Sequence, residues 1–318
     1  MKIYHTLNPQ ESTPCVVTIG FFDGVHVGHR FLLEQTKQVA FKRGVPWGVV
    51  SFATHPRTFF HPDQPMPLLT TEAEKIALLE ELGCNYLFLL PFNKQIAHYS
   101  AKEFIQDILA KRFGAIALLI GYDHRFGHNR TESFEDYVEY GEQCGVEIVQ
   151  AYRLSSVLHH DEREISSSLI RTLLQAGDLD SVTRYLTKPY CITGIVVGGF
   201  QQGRKLGFPT ANIRPSSSEK LIPPRGVYAV WCVLSSGETH KGMLNIGARP
   251  TFHNGDDVSI EVHILDYTGN LYDQSIQVYF VERLRAEKQF ASLLALRAQL
   301  QQDELDSRRL LNKQSFRP

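Results

Sequence analysis

The chain has 318 residues, 43% hydrophobic and 21% charged, with a formal net charge of -1. That balance excludes a global pull toward nucleic acid or anionic membranes, and the length favours two domains over one. Five scattered cysteines (Cys15, Cys84, Cys144, Cys191 and Cys232) form no Cys-x-x-Cys pair, which argues against a disulfide framework or a structural zinc site; each reads as a small core residue.

In chain order, Cys15 to Phe21 is a short β-branched apolar run and predicts a buried strand. A turn with Asp23 and Gly24 follows. Leu32, Leu33, Thr36, Val39 and Ala40 then recur at helical spacing up to a stop at Gly44. Trp47 to Phe52 predicts a second strand. Thr71-Glu72-Ala73-Glu74 predicts a capping box for a helix that stops at Gly83, and Tyr86 to Leu90 a third strand. Ser100-Ala101-Lys102-Glu103 is a second capping box. Phe104, Ile105, Ile108, Leu109 and Phe113 share one face of its helix, which stops at Gly114. Ala115 to Ile120, Phe134 to Tyr140 and Val146 to Val149 predict strand, helix and strand. Such alternation predicts a mostly parallel sheet with helices on both faces, and ligands beyond the carboxyl ends of its strands.

Past Leu186 helical spacing gives way to period-two runs. Ile192 to Val197, Val227 to Leu234, Ser259 to Leu265 and Ile276 to Val281 are strand candidates separated by Gly, Pro and Ser. They predict a small antiparallel barrel or sandwich. Phe290, Leu293, Leu296 and Leu300 mark one closing helix. The boundary falls at Thr187-Lys188-Pro189, giving domains 1–186 and 187–318. The start of the chain has no secretory pattern, and no apolar run is long enough to cross a bilayer. The expectation is a cytoplasmic protein without membrane or nucleic-acid partners; self-association stays open.

The chemistry-bearing turn is Gly20-Phe21-Phe22-Asp23-Gly24-Val25-His26-Val27-Gly28-His29, between the first strand and the first helix. Free amides and the positive helix end favour phosphate there, and Gly24 and Gly28 let the backbone approach it. His26 and His29, three apart, would share one face of the first helical turn and donate hydrogen bonds as charge builds on a bridging oxygen. A His-x-x-His pair could equally bind metal or be structural, but no third zinc ligand is evident.

A second site is predicted at Gly198-Gly199-Phe200-Gln201-Gln202-Gly203-Arg204-Lys205-Leu206-Gly207-Phe208-Pro209-Thr210-Ala211-Asn212. Its glycines let amides line an anion, and Arg204 and Lys205 offset charge; no Gly-Lys-Ser/Thr closes it as a Walker loop. Thr210 and Asn212 would face one side of a strand and suit Mg²⁺ carrying ATP phosphates; the alternative is a polar glycine-rich hairpin. In Ser259-Ile260-Glu261-Val262-His263-Ile264-Leu265-Asp266, Glu261 should point away from the face of Ile260, Val262 and Ile264.

His-x-Gly-His after a first strand resembles the nucleotidyltransferase superfamily. The longer string Phe22 to His29 resembles the bacterial bifunctional riboflavin kinase/FAD synthetase family. Gly121-Tyr122-Asp123-His124-Arg125-Phe126-Gly127 and Ile165-Ser166-Ser167-Ser168-Leu169-Ile170-Arg171 resemble further segments of that family. The stretch Gly203 to Asn212, the Glu261 to Asp266 segment, Asn245 to Phe252 and Leu284 to Phe290 resemble its kinase module. Ala53-Thr54, His124, Ser168 and His128-Asn129 depart from the family strings.

The resemblance implies a Rossmann-like nucleotidyltransferase domain, doubly wound around a parallel sheet, followed by the barrel and its closing helix. It implies phosphorylation of riboflavin to FMN by the barrel and adenylylation of FMN to FAD by the first domain. ATP is the co-substrate of both and Mg²⁺ the cofactor. His26, His29 and Glu261 would be catalytic, Glu261 taking the proton of the riboflavin hydroxyl. Gly20, Phe22, Asp23, Gly28, Asp123, Ser166, Ser167, Ser168 and Arg171 would bind ATP phosphates in the first domain. Gly199, Gly203, Arg204 and Lys205 would do so in the second, with Thr210 and Asn212 on the metal and Arg249 and Arg285 on the flavin. Rival readings are a kinase with weakened adenylyl transfer, a different nucleotidyltransferase fused to an unrelated barrel, and a non-catalytic flavin- or RNA-binding module.

Overall fold

The computed structural model describes all residues except 8–12, 123, 129–130, 155–164, 200–201, 249–257, 314–315 and 317–318, and excludes the side chains of Gln202 and Lys205. The chain divides into two compact units, Met1–Ser166 and Ser167–Pro318.

The first unit is built on six parallel strands in the order β1-β4-β3-β2-β5-β6. They are β1 (Lys2–Tyr4), β2 (Cys15–Ile19), β3 (Trp47–Phe52), β4 (Tyr86–Leu90), β5 (Ala115–Ile120) and β6 (Glu147–Gln150). The expected first strand is thus shorter, ending at Ile19, because the chain turns sharply at Phe22. Along β2, Val16 faces a core with Leu33, Leu79 and Leu119. Its neighbours Cys15, Val17 and Ile19 face another with Ile105, Ile108 and Phe113. Alternate residues therefore bury both faces of the sheet, as parallel sheets require.

Helix α1 (Val27–Arg43) ends at left-handed Gly44, α2 is the single turn Pro56–Phe60, and α3 (Glu72–Glu81) opens with the Thr71 capping box. Then α4 (Lys94–His98) precedes α5 (Ala101–Glu103), which the Ser100 capping box opens and a π-helical run over Phe104–Ala110 continues. α6 (Phe134–Glu142) completes the unit. The strand order reverses between β2 and β5, the position at which open α/β sheets form their ligand crevice.

The second unit starts with α7 (Ser167–Ala176) and α8 (Leu179–Leu186), two helices before the change of sequence pattern at Thr187. Leu179, Val182 and Tyr185 form the buried stripe of α8, which packs on strands of the barrel. The barrel is closed, in the order β10-β11-β8-β7-β12-β9. Its strands are β7 (Tyr190–Val197), β8 (Ala211–Pro215), β9 (Gly226–Leu234), β10 (Thr239–Ala248), β11 (Val258–Ile264) and β12 (Ser275–Arg285). A helical turn, α9 (Gln202–Leu206), interrupts the expected glycine-rich loop. Among the cysteines, Cys144 and Cys191 are only partly buried and not core residues, unlike Cys15, Cys84 and Cys232.

α10 (Leu293–Leu311) packs on β9 and β10, but not by the face that apolar spacing suggests. Leu293 is 72% exposed, whereas Asp303, Ser307 and Leu311 are buried. Asp303 can be buried because Arg285 answers it: Nε donates at 3.0 Å and Nη2 at 2.7 Å to its carboxylate. Arg285, expected at the flavin, holds α10 through this pair. Asp303→Ala should leave that guanidinium uncompensated and cost about 3 kcal/mol, toward the low end for a buried pair because Arg285 keeps some solvent. Denaturant unfolding of the full chain checks it; a loss below about 1 kcal/mol, the range of a surface pair, would contradict the role given to this contact.

Candidate functional sites

The turn after β2 is held in backbone that side chains rarely adopt. Phe22 (φ 58°) and Val25 (φ 40°) are left-handed, with Gly24 (φ 81°) between them. Such strain persists only where surroundings over-determine it. Asp23 supplies part of that restraint. Its buried carboxylate accepts from Leu69 N at 3.0 Å, Thr70 N at 2.9 Å and Thr70 Oγ1 at 3.1 Å. Asp23, expected to contact phosphate, is tied by these donors to the 69–70 loop.

His26 is not inside the helix but caps it, its Nδ1 accepting from His29 N at 3.4 Å. The two imidazoles stack with centroids 3.6 Å apart, and the Phe22 ring meets His29 edge-on at 5.2 Å. A Cβ on Gly28 would stand 3.2 Å from the His26 ring, and one on Gly20 3.0 Å from Phe22, so neither position has room for a side chain without movement. The same Gly28 position is 3.8 Å from the carbonyl of Ile165, which brings the residue before Ser166 to the turn. His29 is held neutral. Burial, then the neighbouring His26, His124 and Lys75, push its protonation well below the ordinary histidine range. Its Nδ1 is buried without a partner among the described residues.

Loops beyond the neighbouring strands meet this turn. His55, which caps α2, packs edge-on against Phe21 at 4.5 Å. Phe92 is the hub of an aromatic cluster, with Phe52 at 5.2 Å, Phe59 at 5.4 Å and Phe60 at 5.9 Å. Phe60 is 58% exposed, so one edge of this aromatic cluster is open to solvent. Beneath the turn lies Lys75, 3% exposed, with its ammonium 4.2 Å from the Phe21 ring centroid. Sequence reasoning missed both features. A signal for Lys75 existed: it stands four residues before Leu79 on the buried stripe of α3, where a cation is out of place.

The barrel assembles a second cluster. Asn212 on β8 pairs with Glu261 on β11, which pairs with Asn245 on β10, so the three side chains form one row across adjacent strands. Ile260, Val262 and Ile264 are buried while Glu261 and His263 are partly exposed, the alternation the sequence predicts. Thr210 precedes β8 rather than lying within it, and its Oγ1 donates to Glu261 Oε2 at 3.2 Å. Gly199 lies against the Asn212 amide; an added Cβ would be 2.0 Å from Nδ2. A Cβ on Gly203 would be 2.3 Å from the Phe208 carbonyl. Both glycines are thus demanded by close approach. Arg204 is exposed on α9. Hydroxyl, amide and carboxylate converge here, a donor set suited to Mg²⁺ carrying phosphates.

Of the remaining expected residues, Asp123, Arg249 and the Lys205 side chain lie outside the described residues. Ser167, Ser168 and Arg171 stand in the first turns of α7, and Ser166 immediately precedes it. Among the described residues no group of three or more His, Cys, Asp or Glu could hold a metal ion, and no helix is long and apolar enough to cross a membrane.

Comparison with known proteins matches the FAD synthetase family over residues 8–169 and the riboflavin kinase family over 186–311. The bifunctional riboflavin kinase/FMN adenylyltransferase of Pseudomonas fluorescens is 37% identical over 308 residues, 96% of both chains. That of Bacillus subtilis is 33% identical over 318 residues, covering 96% of this chain and 97% of its own length. A solved structure from Streptococcus pneumoniae, described as a macrolide-efflux protein, is 30% identical with TM-score 0.85, covering 96% of this chain and 98% of that one.

Proposed function

The chain belongs to the bifunctional riboflavin kinase/FMN adenylyltransferase family, and on that premise we propose how its residues divide the two reactions. The activities are phosphorylation of riboflavin to FMN and adenylylation of FMN to FAD, both with ATP. The division of labour falls at residues 186/187, and both reactions run in the cytoplasm.

The observation that carries the kinase assignment is the Asn212–Glu261–Asn245 row with Thr210 bonded to Glu261. Glu261 accepts the proton of the riboflavin 5′-hydroxyl as that oxygen attacks the γ-phosphate. Gly199, Gly203, Arg204 and Lys205 bind the phosphates. Thr210 and Asn212 would hold Mg²⁺, which would supply charge compensation for the transferring group.

For adenylyl transfer, the observation is the stacked His26–His29 pair at the helix N-terminus. A phosphate oxygen of FMN attacks the α-phosphate of ATP, and pyrophosphate leaves. No protein nucleophile takes part; the turn orients the reactants and stabilises the leaving charge. Arrival of the triphosphate beside neutral His29 favours its protonation and strengthens the hydrogen bond it gives. Phe22 and Asp23 shape the turn. The aromatic cluster around Phe92 stacks the flavin ring. Ser166, Ser167, Ser168, Arg171 and Asp123 enter this assignment through the family resemblance.

The test is product analysis of purified protein given riboflavin and MgATP. FMN followed by FAD is expected. Absence of both would overturn the assignment, and FMN without FAD would overturn its adenylyl-transfer half.

A further inference from the structure

We infer that Lys75, which belongs to none of the sequence motifs, is a positioning residue for adenylyl transfer: its buried ammonium clamps the carboxyl ends of β2 and β3 and places a fixed positive charge beneath the turn that carries His26 and His29. The inference rests on the assignment of that turn to adenylyl transfer.

The geometry is specific. Lys75 Nζ donates to the Phe21 carbonyl at 3.2 Å, to Ser51 Oγ at 3.2 Å and to the Phe52 carbonyl at 3.1 Å. Ser51 Oγ also donates to the Phe21 carbonyl, at 3.1 Å. The carbonyl immediately before left-handed Phe22 is therefore fixed by two donors, one of them charged. That is a restraint of the kind needed to keep Phe22 and Val25 in strained backbone. Asp23 fastens the turn to the 69–70 loop; Lys75 fastens it to the sheet.

The charge itself points to an anion. None of the three acceptors of the ammonium carries a formal charge, and Asp23 and Glu72 nearby offset only part of the cost of burying it, since its protonation is still pushed down. A thioether or an amide could fill the space at less cost. The cost is offset when a polyanion arrives at the turn above. Lys75 also acts on His29, whose proton affinity it helps to lower. The charged and titratable groups around the ammonium are Asp23 and Glu72, which favour its charged form, and His29. His26 and His124 act on His29 in turn. Burial dominates and brings the Lys75 ammonium down to about 8.

The experiment uses the full chain, whose kinase half, in the other compact unit, is an internal control for protein amount and MgATP, while the melting of the first unit reports its folding. FMN formation and FAD formation from supplied FMN are measured for Lys75→Met and Lys75→Gln. Both variants should lose on the order of a hundredfold in kcat/KM for ATP in FAD formation, through kcat and KM together, as for loss of one fixed electrostatic group. FMN formation should stay within twofold of wild type. A residue that only packs would lower the melting temperature and spare kcat.

The unsubstituted protein offers a second readout. Its kcat/KM for ATP in FAD formation should fall as pH rises through about 8, and the variants should be flat there. If both variants keep FAD formation within twofold, the inference is overturned. It is also overturned if the alkaline fall persists in a folded variant or is missing from the wild-type protein. Should neither variant fold, the wild-type profile decides. If His29→Ala also leaves FAD formation intact, the assignment of the turn has failed, and not the role of Lys75 alone.

Discussion

Glu261→Gln is expected to remove FMN formation while leaving adenylylation of supplied FMN near the wild-type rate. Glutamine keeps the shape and can still pair with Thr210, whose Oγ1 lies 3.2 Å from Glu261 Oε2. What it cannot do is accept a proton. Positioned general bases contribute about a hundredfold to ten-thousandfold, so kcat for FMN should fall by that range. KM for riboflavin should change little, because the lost interaction develops as the hydroxyl proton leaves. Steady-state assay of each half-reaction checks both points. Retention of more than a tenth of the kinase rate would show that the proton goes elsewhere. The strand context makes the substitution clean: Glu261 is flanked by buried Ile260 and Val262, which fix the register, so the change stays in the side chain.

His29→Ala gives the mirror result. FAD formation from FMN should drop by about a hundredfold to a thousandfold, the usual cost of removing one donor from a developing charge, and FMN formation should be unaffected. His26 would not substitute for it. His26 Nδ1 accepts from the backbone of residue 29, a bond the alanine variant retains, so its ring stays turned toward capping the helix. The cavity beside Phe22 left by the missing imidazole also loosens a strained turn, so part of the loss should appear as a raised KM for ATP. Equal loss of both activities would mean global damage and would sink the assignment.

Much of this was legible in the sequence, for physical reasons that can be named. The strands at Trp47–Phe52, Tyr86–Leu90 and Ala115–Ile120 coincide with the apolar runs, because parallel strands buried on both faces leave little polar interruption, here only Ser51. Both capping boxes formed, since their chemistry is local. β10 was missed: Lys241, Gly242, Asn245 and Gly247 break its apolar pattern, and two partner strands hold it in place instead. α2 and α4 are five residues each, too short to show a period. The face of α10 was misjudged because an aspartate is buried where spacing favours leucines, and only tertiary pairing with Arg285 permits that. Among site residues, the Thr210–Glu261 contact joins positions 51 apart in the chain. Lys75 likewise acquires its role from carbonyls at Phe21 and Phe52, which no helix pattern announces.

β12 has a further consequence, in how the protein is made. It lies between β7 and β9, so the last strand in the sequence seals the barrel. Until Ser275–Arg285 has been synthesised, β7 and β9 remain free edges, and all nine residues of β9 are apolar or small and destined for burial. Translation therefore passes through a stage in which the kinase half presents a long unpaired edge to other chains, the condition that favours intermolecular strand pairing. The strands carrying Asn212 and Glu261 have by then been made, so a chain stopped before β12 would hold both residues and still be unable to protect itself from aggregation.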